Sequence, residues 1–415
     1  MITAHWPTVN LGSCVDLLAG FAFKSEWFTE KVDDIPLVKG ENVSQGRILW
    51  DISKRWPLSD RDNLEKFLLI PGDVIVAMDR PWVPAGLKWA FIREGDPKAL
   101  LVQRCARLRA NSGLLDQEFL RFVIGSPNFE NYVKPITTGV NVPHISGQQI
   151  LNFEFAIPPL SLQRRIAGIL SAYDELIENN QRRIKILEEM VRSLYSEWFV
   201  HFRFPGHEKV KMVHSSLGPI PQGWEGRFGA LVTIERDGIN PFEYPQEPFE
   251  HFSIPAFDNG RQPVTELGGT ILSGKYYIDS SCVLLSKLNP RISRIWLPIP
   301  SGHGRAITST EFLVLKPRQG ATREFIYAKC CSEEFTSQFA SLAIGTSTSH
   351  QRVKPENLLT IPSTAPDRSI IERFSSVVAP MLLLSQQLRG KIKNLRRTRD
   401  LLLPRLLSGQ IPLAG

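Results

Sequence analysis

Apolar residues recur through the middle of the chain at alternating steps of four and three. From Leu162 the seam runs Ile166, Ile169, Tyr173, Leu176, Asn180, Ile184, Leu187, Val191, Leu194 and Trp198, with one extra step of four around Asn180. That alternation predicts a long helix with one apolar stripe. Pro158-Pro159 and Ser161 supply a start signal, and Pro205-Gly206 a stop. About 43 residues at 1.5 Å each make a rod of roughly 60 Å. Adding 208 to each position gives a second seam: Ile370, Phe374, Val377, Met381, Leu384, Leu388, Ile392, Leu395, Arg399, Leu402 and Leu406. A rod of that length with a single stripe is not expected to stand alone in water. The two rods are therefore expected to pair, as an antiparallel coiled coil.

Ahead of each rod the pattern changes to short alternating or apolar runs broken by Pro and Gly. Residues 73–78, 87–92, 101–108, 282–285 and 312–315 read as strands, and 117–132 and 324–339 as one helix per block. The blocks repeat one another as the rods do. Glu118-Phe119-Leu120 returns as Glu324-Phe325-Ile326, and Ser126, Phe129, Gly139 and His144 meet Ser332, Phe335, Gly345 and His350 at the same offset of 206. Val74-Ile75-Val76 ahead of Pro81 matches Val283-Leu284-Leu285 ahead of Pro290, and Ile157-Pro158 matches Ile361-Pro362. The expected fold is α+β, with two similar mixed α/β domains (1–157 and 205–361) separated by two long helices (158–204 and 362–415).

At 415 residues the chain is long enough for two or three domains. With 22% charged and 42% hydrophobic residues it is globular, which excludes disorder and collagen. The longest apolar run, 377–384, is broken by Pro380 and falls short of the ~20 residues of a membrane span. No basic stretch leads into an apolar one at the N-terminus, so no signal peptide is expected. Cys14, Cys105, Cys282, Cys330 and Cys331 form no paired spacing, as free thiols of a cytoplasmic protein would. Lys and Arg number 49 against 42 Asp and Glu, a net +7 that permits nucleic acid as a partner.

The chemical motifs are near misses. Gly269 to Lys275 matches most of a phosphate-binding loop, but Tyr276 stands where a Ser or Thr is needed and a strand-like run follows. Asn240-Pro241-Phe242 and Asp79-Arg80-Pro81-Trp82 each lack one proline of an amino-methyltransferase motif. His201, His207 and His214 have no helical metal spacing. The chain is expected to be non-catalytic, with no metal and no cofactor. Two basic or polar features remain. The second rod carries seven basic residues and one acid between Arg389 and Arg405, whereas the first is balanced; this is either a docking face or a solvated one. The equivalent loops 137–144 and 345–352 are rich in small polar residues. They suit either DNA contact or simple conformational turns.

Taken in order, several segments resemble the specificity subunit of a type I restriction-modification system. They are Gly20-Phe21-Ala22-Phe23-Lys24-Ser25 with Phe28, Gly72-Asp73-Val74-Ile75, and Gly139 through His144. Ile157-Pro158-Pro159-Leu160 with Gln163 and Ile166 follows, and Leu403 through Leu407 with Ser408-Gly409 closes the series. The second half departs in carrying Cys282 opposite Asp73 and in lacking a clear copy of the Gly-Phe-Ala-Phe block. The resemblance implies two target-recognition domains, each reading one half of a bipartite, asymmetric double-stranded DNA site. It also implies a helical spacer that binds two methyltransferase subunits, with restriction helicase-nuclease subunits as further partners. The candidate DNA contacts are Lys24, Arg80, Thr138, Asn141 and His144 in the first half. In the second they are Lys287, Arg291, Thr346, Ser347, His350 and Arg352. Lys391, Lys393, Arg396 and Arg397 are the candidate partner face. The alternatives are a duplicated coiled-coil adaptor that binds no DNA, and a fragment of a larger modification enzyme. If the rods set the spacing of the half-sites, four residues added between Pro159 and Ile166 lengthen a rod by about 6 Å, between one and two base pairs.

Overall fold

A computed structural model of the chain describes residues 6–59, 64–84, 86–139, 142–344, 351–411 and 413. The chain divides into two compact units. The first comprises Met1–Leu176 with Leu395–Gly415, and the second Ile177–Asn394. Each of the two long helices, Leu160–Tyr195 and Arg368–Leu407, contributes residues to both. The first ends in a π-helical turn, Ser196–Val200, before Gly206 at φ +94°.

The first unit is built on a four-stranded antiparallel sheet in the order Trp89–Phe91, Val74–Ala77, Cys105–Ala110, Val15–Ala19. Val74–Ala77 is apolar and buried throughout because both faces of the sheet are covered. Val74 and Val76 join a core with Phe119, Leu120, Phe129 and Ile150, while Ile75 and Ala77 join another with Val38, Val43 and Leu101. Residues from both long helices complete the first of these cores: Ile166, Ala167 and Leu170 from one, Leu403 and Leu406 from the other. Gln163 fastens the helix start. Its amide donates to the Pro158 and Leu114 carbonyls at 2.8 and 3.0 Å and accepts from the Asp116 amide at 2.8 Å.

The second unit repeats this sheet in the same order: Ile295–Trp296, Val283–Ser286, Phe312–Pro317, Val232–Glu235. Its two faces are again divided between cores, Val283, Leu285, Leu313 and Leu315 on one side and Leu284, Phe312, Val314 and Trp296 on the other. Both units also pair a strand before the sheet with one just ahead of a long helix: Thr8–Asn10 with Glu154–Ala156, and Glu225–Arg227 with Pro362–Thr364. The duplication expected from the sequence is thus present strand by strand. The units diverge beside the shared sheet. The first has a three-stranded sheet there, Leu100–Leu101, Ile35–Val38 and Arg55–Trp56. The second has a five-stranded one running from Gly238–Ile239 to Val264–Leu267.

Two expectations need correction. The single helix expected at 117–132 is two, Gln117–Ile124 and Pro127–Ile136, because Ser126 caps a new start at the Phe129 amide and Pro127 has no N–H with which to continue the old one. Its counterpart breaks in the same place, where Ser332 caps the Phe335 amide. The buried seam of the rods also lies one residue later than expected at several turns. It follows a strict seven-residue step through Gln163, Leu170, Ile177, Ile184, Val191 and Trp198, all buried. The same step in the second helix passes through Ile371, Val378, Ser385 and Ile392, the half-buried Arg399, and Leu406. Leu176 and Val377 are 52% and 42% exposed, whereas Ile177 and Val378 are 6% and 0%.

Candidate nucleic-acid interface

The polar loop of each unit returns to the same place, where the two central strands of the shared sheet meet end to start. In the first unit the loop closes on itself through Thr138 and His144, whose backbones exchange hydrogen bonds of 3.0 and 2.7 Å. Its returning strand then pairs with the segment after Val74–Ala77. The Arg80 amide donates to the Pro143 carbonyl at 2.7 Å and the Ile145 amide to Met78 at 2.8 Å, while the Met78 amide donates to Arg104 at 2.8 Å. Gly139 is required for the bend. Its φ is +95°, and a Cβ there would lie 2.4 Å from the Val142 carbonyl oxygen.

The second unit has the same frame. Ile344 and Arg352 exchange backbone bonds of 2.9 and 3.1 Å. Asn289 donates to Gln351 at 2.8 Å, Val353 to Lys287 at 3.1 Å and Lys287 to Glu311 at 2.9 Å. Arg80 and Asn289 hold equivalent positions in these frames, and both are in the left-handed region, at φ +44° and +48°. A non-glycine residue held there in both copies is backbone strain of the kind found at working surfaces.

Side chains fasten the frames differently. In the first unit Asp79 accepts from the His144 imidazole Nδ1 at 2.5 Å and from the Arg104 guanidinium at 2.6 Å. In the second, Arg352 binds Glu311 through both Nε and Nη2, at 3.0 and 3.1 Å, and this pairing raises the arginine pKa. Asp79, Arg104, Asn289 and Glu311 were not among the candidates from sequence. The loop strand carries the base in both copies, but the acid follows the inner strand in one, at Asp79, and stands in the neighbouring turn in the other, at Glu311, so matching one half against the other does not reveal the pairing.

The remaining candidates fall in several places. Arg80 is exposed and makes no ion pair among the described residues. Thr138 is exposed at the loop base. Lys287 is half-buried in the frame, and Arg291 is exposed in the turn that follows Asn289. Lys24 belongs to a different neighbourhood, beside the aromatic cluster of Phe23 and Trp56. Asn141, Thr346, Ser347 and His350 lie outside the described residues. Lys391, Lys393, Arg396 and Arg397 are exposed on the second long helix. Of their basic neighbours, Arg389 and Arg399 are committed to Glu188 and Asp174, each at 2.6 Å.

The near-miss motifs have ordinary structural roles. Lys275 donates to the Ser273 carbonyl and hydroxyl at 2.8 and 2.6 Å and opens the strand Lys275–Tyr277, so no helix follows to receive a phosphate. His207 hydrogen-bonds the Phe204 carbonyl at 2.8 Å. Among the described residues no group of three or more His, Cys, Asp or Glu could hold a metal, and no helix is long and apolar enough to cross a membrane. None of the five cysteines is in a disulfide, and burial pushes the Cys105 and Cys282 thiols up to about 12.

Residues 4–189 match the family model of the type I restriction modification DNA specificity domain. The chain is 34% identical over 173 residues to the Escherichia coli type I restriction enzyme EcoAI specificity subunit, a match covering 42% of this chain and 28% of that protein. It is 27% identical over 193 residues to the MjaVIII specificity subunit of Methanocaldococcus jannaschii, covering 46% and 45%. With the MjaIX subunit of the same organism the match is 25% over 308 residues, covering 71% and 69%. The chain therefore spans well under two thirds of the first two relatives' length. In fold it resembles the crystal structure of the type I restriction-modification S subunit from M. genitalium, with a TM-score of 0.61 at 14% identity over 99% of this chain and 97% of that one. Residues 4–189 are thus similar to the type I restriction modification DNA specificity domain, and the chain as a whole shares the fold of a type I S subunit.

Proposed function

We propose that the chain is the DNA-reading subunit of a type I restriction-modification complex. The domains at 1–157 and 205–361 each read one half of a bipartite site in duplex DNA. Because the domains differ in sequence, the site is asymmetric. The helical regions 158–204 and 362–415 dock two methyltransferase subunits, and restriction subunits join the same assembly. The observation that carries this reading is the duplicated loop frame. Each copy ends a shared sheet in a strained residue flanked by polar side chains, Arg80 in one and Asn289 in the other. Arginine and asparagine are side chains suited to reading guanine and adenine edges.

The test is binding of the full chain, with its methyltransferase, to duplexes carrying the sites that the intact system methylates. Affinity should fall steeply as salt rises, and Arg80→Ala should weaken discrimination at one half-site by about 1–3 kcal/mol. Absence of any salt-dependent DNA binding would favour the adaptor. Changing Lys391, Lys393, Arg396 and Arg397 to Glu should abolish co-purification with the methyltransferase. If that complex survives and only DNA affinity drops, these residues face DNA.

A further inference from the structure

His144 and Arg352 stand at equivalent positions on the returning strand of the polar loop, and both look like DNA contacts in the sequence. In the structure both are engaged. His144 binds Asp79, and Asp79 also binds Arg104 in the turn ahead of the strand Cys105–Ala110. Arg352 binds Glu311, and Glu311 lies in the equivalent turn, ahead of Phe312–Pro317. The backbone bonds Met78 to Arg104 and Lys287 to Glu311 fix that equivalence independently of any side chain. Loop strand and turn are thus joined in both units, through an intervening aspartate in one and directly in the other.

A nearby ion pair also keeps its base while its acid moves. Asp73 binds Arg109 at 2.5 Å in the first unit, while in the second Cys282 replaces the aspartate and Lys316, opposite Arg109, binds Asp279 at 3.2 Å. Two copies that have lost sequence identity at these positions keep the connection by different residues. Chance surface ion pairs have no reason to reappear between the same two backbone segments.

We propose that Asp79 and Glu311 are positioning residues: each ties the strand at the end of its polar loop to the neighbouring turn and so fixes how that strand is presented to DNA, while His144 and Arg352 serve the tie and do not read bases. This rests on the DNA-reading role proposed above. The paired groups are partly exposed, His144 at 45% and Arg352 at 49% of the side chain, so breaking a tie should leave the fold intact. Its effect should appear in recognition, and at one half-site only.

The experiment uses the full chain with its methyltransferase, and duplexes in which one half-site at a time is altered. Glu311→Gln, Glu311→Arg and Arg352→Glu should each reduce discrimination at the second domain's half-site by roughly three- to tenfold. Discrimination at the other half-site should be unchanged. Asp79→Asn should do the reverse. The deciding variant combines Glu311→Arg with Arg352→Glu, which restores the pair with its charges exchanged. Recovery of discrimination supports the tie. A combined variant as poor as Arg352→Glu alone would mean that the guanidinium acts on DNA itself, and would overturn the proposal. So would single variants that bind and discriminate like wild type. A wild-type chain with no sequence-specific binding would overturn the DNA-reading role itself, an outcome distinct from both.

Discussion

Lys329 is 7% exposed in the core of the second unit, and its ammonium donates to the Tyr195 hydroxyl at 3.3 Å. Burial lowers its pKa from 10.5 to about 8, against a smaller opposing pull from Glu334. The unfolded lysine keeps its proton up to its ordinary pKa, whereas the folded one gives it up earlier. Between about 8 and 10.5 the unfolded state therefore binds more protons, and stability from this group rises with pH. Below that window the cost of holding a charge in the core is fully present, about 3 kcal/mol. Lys329→Met removes this cost but leaves the Tyr195 hydroxyl without a donor, a loss of about 1–3 kcal/mol. The net change near pH 7 should be small. Its pH dependence should not be: the stability of the variant relative to wild type should fall by about 2.5 kcal/mol between pH 7 and pH 10. Urea unfolding of both proteins across that range measures it, and a difference that stays constant would mean the ammonium is solvated. This lysine sits one residue before Cys330 in a short helix that reads as half apolar, and nothing local in the sequence marks it as buried.

The long helices are where sequence was most legible and where its limit is clearest. Their existence and their duplication at an offset of 208 follow from apolar spacing alone. The phase does not, because the buried stripe includes Gln163 and Ser385, which no count of apolar residues includes. Beside such positions, Leu176 and Ile177 or Val377 and Val378 compete as equals, and only burial separates them. The charges on the stripe were equally hard to place. Arg399 looks like an intruder, yet in the first unit it meets Asp174, which also holds Arg121 at 2.9 Å. Arg121 has a side chain only 11% exposed, packed over the rings of Phe91 and Phe122. Burial lowers its pKa, and Glu118 and Asp174 oppose that shift. Removing the carboxylate should therefore cost more than removing the outer arginine. Asp174→Ala should destabilise the first unit by about 1–3 kcal/mol, since the buried Arg121 then keeps only Glu118, at 3.4 Å. Arg399→Ala should cost about 1 kcal/mol or less. Equal losses in chemical denaturation would show that the network treats the two arginines alike.

At the scale of the whole molecule the repeat carries the argument, since both units are made from the same four-stranded sheet, the same separate pair of strands and the same loop frame. What differs is the region beside the sheet, three strands in one unit and five in the other, as expected if two readers of common origin came to recognise different sequences. Each long helix supplies residues to both units, and its length is proposed to set the spacing between their half-sites. The structure changes how that is best tested. Residues 160–170 are packed into the first unit's core through Gln163, Ile166 and Leu170, so an insertion between Pro159 and Ile166 would disturb that core. An insertion of four residues would also break the seven-residue step. Seven residues added to each helix, after Leu176 in the first and after Asn394 in the second, keep every seam position in phase within its own unit. Each helix gains about 10 Å, or roughly three base pairs along B-DNA. Methylation mapping in cells carrying the lengthened chain should find the same two half-sequences separated by a spacer about three base pairs longer. An unchanged spacer in an active variant would mean that something other than these helices sets the spacing. Altered half-sequences would mean that the helices take part in reading, against the division of labour proposed for domains and rods.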